Sequence, residues 1–152
     1  MATALLIVHD LFAVALLGAI THQTLATWAP AKPRPSAFFS RFRAVHARRF
    51  ANAVVALYLA VAALGAVLYL SFKIDVQPGL ELDRHWPALG LFDLKEDFVA
   101  IGVGTLPAYW VSWRSPSLDR RMRATLTAIL AFVVWWSFLV GHVVNNIKGF
   151  GS

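Results

Sequence analysis

Four stretches of the chain are apolar almost without a break, and the polar residues gather between them. They run from about Ala4 to Trp28, Ala51 to Phe72, Leu94 to Trp113 and Ala124 to Asn146. About 20 helical residues cross a hydrocarbon core of ~30 Å, so each stretch is long enough to span a membrane. None shows the period of two that marks a barrel strand, and in lipid only helices and closed barrels satisfy every backbone group. The pattern predicts an all-α, four-helix transmembrane bundle forming a single integral-membrane domain over residues 1–152. Composition agrees: 59% of the residues are hydrophobic and 14% charged, whereas soluble domains carry about 25% charged residues.

Charge sets the expected orientation. Lys32, Arg34, Arg41, Arg43, Arg48 and Arg49 lie between the first two stretches, and Arg114, Arg120, Arg121 and Arg123 between the last two. These are ten of the 14 basic residues, opposed there only by Asp119; the other seven of the eight acids fall elsewhere. Cytoplasmic loops carry the Lys/Arg excess, so both termini are expected on the outer side, N-out and C-out, as in a bacterial inner (cytoplasmic) membrane. The high pI of 10.3 is then a topology signal. The expected partners are the lipid bilayer, its anionic headgroups and other membrane subunits, with no nucleic acid. The first stretch lacks a positive n-region and carries His9, Asp10 and His22, so it is expected to be retained as a span and not cleaved as a signal peptide.

The loops and spans carry local signals. SAFFSRFRAVHARRF reads as an interfacial helix feeding the second span, and Pro78-Gly79 marks a turn in the outer loop. Ala56 and Ala60, Ala62 and Ala66, and the series Ala100, Gly104, Ala108 are spaced for close helix contact. Pro107 is expected to kink the third span. Trp28, Trp110 and Trp113 suit the inner interface. Trp135 and Trp136 fall mid-span, where bulk packs a core, a partner or a cofactor.

Ionisable residues inside a membrane are costly and usually face a bundle interior. His9 and Asp10 enter the first span from outside, Glu96 and Asp97 begin the third, and His142 lies near the outer end of the fourth. On a helix Trp135, Phe138, His142, Asn145 and Asn146 share one face. Three chemistries could use this cluster. A bis-imidazole haem b needs two histidines from different helices at similar depth, and His9 with His142 meets that condition, flanked by Trp135 and Phe138. A metal site (zinc, iron or copper) could take His9 and His142 with Glu96 or Asp97. A proton relay or quinone pocket could use the same groups, with Asp10 and Asn145. A polar clasp between helices, with no cofactor, stands against all three.

His22 and His46 fall near the inner side and could in outline form a second haem pair. His9 and His22, however, point about 140° apart on an ideal helix, and His46 sits among arginines. One outer site is therefore expected, and His85 beside Trp86 is read as interfacial. Without cysteine, disulfides, thiolate metal sites, iron–sulfur clusters and attached c-type haem are excluded.

The basic VHARRF opening of the second span, the outer loop and the closing run RRMRATLTAILAFVVWWSFLVGH give the chain a further likeness. In layout it resembles small four-helix bacterial inner-membrane proteins linked to assembly of haem–copper terminal oxidases. It is similar in outline to the haem bundles of the cytochrome b561 class, but departs from their paired histidines at two depths. The first resemblance implies a role in haem or copper delivery and assigns no catalytic residue. No Walker loop, dinucleotide fingerprint or His-Glu-x-x-His motif occurs, so an autonomous enzyme is not expected. The expectation is a membrane protein that binds haem b or a metal ion at the outer cluster, working with a respiratory redox complex or its assembly. The alternative is a cofactor-free accessory subunit.

Overall fold

A computed structural model gives the fold of residues 2–28, 47–115 and 118–148. Four long helices carry it: α1 (Ala2–Trp28), α2 (Ala47–Ser71), α4 (Trp86–Arg114) and α5 (Arg120–Ile147), with a short α3 (Gln77–Leu82) reached through a π-helical turn, Phe72–Val76. No strand occurs among the described residues. Three helical stretches are long and apolar enough to cross a membrane: Thr3–Trp28, Phe50–Leu82 and Arg120–Ile147. α4 matches them in length, but Asp93, Lys95, Glu96 and Asp97 near its start and Pro107, Tyr109 and Arg114 further on dilute its apolar character. The predicted third span is thus a helix, and a more polar one than its neighbours. The predicted interfacial helix falls largely on residues 36–46, outside the described residues.

The helices close a ring. α1 packs on α2 and α5, α4 packs on α5 and α2, and the α2–α4 seam is the thinnest of the four. Leu16 and Ile20 of α1, Val54 of α2, Leu106 of α4 and Leu130 and Val133 of α5 form the buried middle. A second cluster, with Phe72, Val76, Leu80, Phe92, Val140 and Val144, closes the end of the bundle that holds His9. At the opposite end Arg120 donates to the Thr27 carbonyl, and Arg123 donates to the carbonyls of Ser112 and Ser115. These arginines satisfy carbonyls that the ends of α1 and α4 leave without helical partners. Asp119 caps α5 by accepting from the Arg121 amide at 3.0 Å, as an acidic N-cap should.

Three expectations need correction. Pro78-Gly79 does not make the turn: Pro78 begins α3, where its missing N–H costs nothing. The chain reverses at Asp83–His85 instead, with Arg84 in the left-handed region at φ 57°. Burial explains this, because Phe72, Val76 and Leu80 form one inward face that keeps the chain helical past the expected end of the span. Second, Ala100, Gly104 and Ala108 do not face a packed neighbour; all three are exposed, and a Cβ added at Gly104 meets nothing within 4 Å. The inward face of α4 carries Leu106, Tyr109 and Trp113, whose larger side chains gain more by burial, and Gly102, over which Tyr58 packs. Third, Trp113 is not interfacial but buried, its indole donating to Thr127 Oγ1 at 3.2 Å. Trp28 and Trp110 are exposed.

Candidate functional site

A cavity of about 300 Å³ lies in the His9 end of the bundle, with walls from all four long helices. That is the lower end of the range for small-molecule sites, roughly 300–1,000 Å³. Leu16, Tyr58, Leu68, Val99, Val133 and Val134 make its apolar depth, and Phe72, Phe92 and Phe138 supply aromatic surface. Phe72 stacks on Phe92 at 3.8 Å between ring centroids. Its polar lining comes from three helices: His9 and Asp10 of α1, Lys95 and Glu96 of α4, and Ser137, His142 and Asn145 of α5. Lys148, just past α5, completes it.

His9 is seated by a glycine. A Cβ built on Gly65 of α2 would lie 3.4 Å from His9 Cε1 and 4.0 Å from Nδ1, in ordinary van der Waals contact, so the ring packs close to α2 there and a side chain longer than a methyl would crowd it. Its Nδ1 is buried with no hydrogen-bond partner among the described residues. With the Nδ1–Cε1 edge turned to α2, the Nε2–Cδ2 edge is the one presented to the other helices. Asp10, Lys95 and Glu96 are the charges that act on the ring. Lys95 is itself held between Glu96, at 2.8 Å, and the face of Phe92, 4.4 Å from its centroid.

The expected site residues divide. His9, Asp10, Glu96, Phe138, His142 and Asn145 all line the cavity, so residues from α1, α4 and α5 do meet there. His142 and Asn145 are exposed and form its rim. Asp97 does not join them; it is exposed and turned off the lining. Trp135 also leaves the group: it is 43% exposed, donates to Thr21 Oγ1 at 3.1 Å and lines a shallow groove on the α1–α5 flank. A face shared on an isolated helix is wide, and α5 turns only part of it inward. Asn146 bonds back to the His142 carbonyl at 2.8 Å instead of entering the cavity. No group of three or more His, Cys, Asp or Glu side chains able to hold a metal ion occurs among the described residues.

Sequence reasoning passed over Lys95, Gly65, Ser137 and Gly141. Lys95 sits beside the two acids that were singled out, a signal that was available. The glycines had none, because their role depends on what lies opposite. His22, not expected to form part of a site, is buried at 3% exposure in the other half of the bundle, its ring stacked on Phe50 at 4.2 Å. Gln23, Thr27, Tyr109, Ser112 and Thr127 are buried around the same level. Leu16, Ile20, Val54, Leu106, Leu130 and Val133 stand between this inner polar layer and the cavity. His46 lies outside the described residues, and His85 is an exposed residue at the start of α4. Compared with known proteins, the chain matches no protein-family model, no curated protein and no solved structure.

Proposed function

We propose that the chain is a four-span protein of a bacterial-type inner membrane, with both termini outside, that holds haem b in the cavity between His9 and His142. Its role would lie with a respiratory redox complex or with the assembly of one. The observation that carries this reading is the pairing of two histidines from different helices on one aromatic-walled cavity, one of them fixed against Gly65 with its Nδ1 buried. A ligating histidine is ordinarily oriented through its other ring nitrogen; His9 Nδ1 has no hydrogen-bond partner among the described residues, so the ring is placed by its packing against α2.

The side chains lining the cavity suit the group, of which a cavity of about 300 Å³ would enclose only part, the rest lying at the open rim. His9 and His142 offer imidazole nitrogens, Phe72, Phe92 and Phe138 offer flat apolar surface, and Lys95 and Lys148 offer cations for acidic substituents at the rim. Bound there, haem would supply one-electron chemistry at a potential set by its axial ligands and by burial. The protein's own part is to fix the imidazoles, to exclude water with the apolar depth, and to hold charge at the rim. A bare metal ion is the weaker reading, since the carboxylates and histidines do not assemble into a ligand set among the described residues.

An optical spectrum of the purified protein tests the proposal. Haem gives a Soret band that is present in wild type and lost in both His9→Ala and His142→Ala. A colourless wild-type protein that takes up no added haem overturns it. The cofactor-free accessory subunit would then stand, favoured by the exposed Ala100–Gly104–Ala108 face of α4, which leaves open space for a neighbouring helix.

A further inference from the structure

The wall between α1 and α5 is closed on one side of the cavity level and open at it. Trp135 of α5 donates to Thr21 of α1 at 3.1 Å, sealing the seam there. The two helices run antiparallel, since Arg120 at the start of α5 meets Thr27 near the end of α1. Val14 and His142 each lie seven residues beyond the bonded pair, two helical turns further on and on the same faces. Both line the cavity, and both are exposed, Val14 at 54%. Beside His142, a Cβ added at Gly141 meets nothing within 4 Å. The cavity therefore breaks through the flank of the bundle between these two helices.

What that opening meets follows from its neighbours. Leu11, Phe12 and Val14 on α1 and Leu139 and Val143 on α5 are exposed large apolar residues beside it, while Asp10, His142 and Asn145, exposed at its other edge, give the opening a polar margin. The apolar side of that flank, on two helices apolar enough to cross a membrane, faces hydrocarbon. An aqueous ligand would not concentrate there, whereas one dissolved in the bilayer would.

We infer that the cavity takes its ligand from the bilayer, sideways between α1 and α5 past Val14 and Gly141, and that the ligand is a flat, largely apolar molecule with a polar group. Inside the opening Ser137 lines the cavity with its Oγ buried and without a hydrogen-bond partner, a donor and acceptor for that polar group. The inference rests on the reading of the cavity as a ligand site. Haem b belongs to the class it names, but the route is testable without haem.

The chain contains no cysteine, so a single one can report on access. Ala62 of α2 lines the cavity opposite the opening. In vesicles, an uncharged maleimide that partitions into lipid should label Ala62→Cys at least tenfold faster than a charged, membrane-impermeant methanethiosulfonate. Val14→Trp on one lip and, independently, Gly141→Leu on the other should each slow the uncharged reagent about tenfold, with unchanged helical circular dichroism. Equal labelling by the charged reagent, or rates untouched by both lip variants, overturns the inference. The Soret test judges the haem reading separately: a coloured protein whose labelling ignores the lips keeps haem and loses the route. A colourless one with lip-dependent labelling keeps the route and loses haem.

Discussion

Tyr58 of α2 places its hydroxyl over Gly102 of α4 and donates to the Val99 carbonyl at 3.1 Å. A Cβ at residue 102 would overlap the phenol outright. With the bonds from Trp110 and Arg114 to Asn52 further along, this contact ties the thinnest seam of the bundle together, and it lays the floor of the cavity, since Tyr58 and Val99 both line it.

Gly102→Ala should therefore push Tyr58 off its seat. Overpacking of this kind costs roughly 1–3 kcal/mol, while Tyr58→Phe, which removes only the hydrogen bond, should cost about 1 kcal/mol. Thermal unfolding in detergent should rank Gly102→Ala below Tyr58→Phe, and Tyr58→Phe below wild type. Wild-type stability in Gly102→Ala would show that the seam does not depend on this approach.

Gly65→Leu should disable the site while sparing the bundle. A Cβ there would already touch the His9 ring, at 3.4 Å from Cε1, so the further carbons of leucine should crowd the imidazole away from α2. The Soret band of the haem-loaded protein should fall as far as it does in His9→Ala, with melting behaviour much closer to wild type. An unchanged Soret band would mean that His9 is not held through this contact.

Phe138 and Trp135 separate two readings of α5. Phe138 lines the cavity, and Trp135 sits on the outer flank bonded to Thr21. Phe138→Ala should shift the absorption maximum or weaken haem retention several-fold, whereas Trp135→Phe should leave the spectrum as it is. The opposite outcome would place the ligand on the groove side of α5.

In the other half of the bundle, Trp113 donates to Thr127, whose own hydroxyl donates to the Arg123 carbonyl at 2.7 Å. Both residues are buried. Thr127→Val keeps the shape but leaves the indole N–H without its partner, at a cost of roughly 1–3 kcal/mol. Unfolding should report that loss, and the haem spectrum should not move, because the apolar layer around Leu106 and Leu130 separates this pair from the cavity.

The chain's own residue order determined the class of the protein. Uninterrupted apolar runs around His9, Leu64 and Leu130 lack the period of two of a barrel strand and so read as helices, each of which bonds its own backbone wherever it packs. The convergence of His9, Glu96 and His142 was also legible, since depth along a helix follows from counting residues. Tertiary structure decided everything that depends on rotation about the helix axis. It turned Trp135 and Asp97 outward, exposed the small-residue series on α4, made Gly102 the close approach between α2 and α4, and kept the chain helical beyond α2 through Pro78 to bury Leu80. Local spacing says which residues share a face. Only the packed neighbours, by the area each possible face would bury, determine which face turns in.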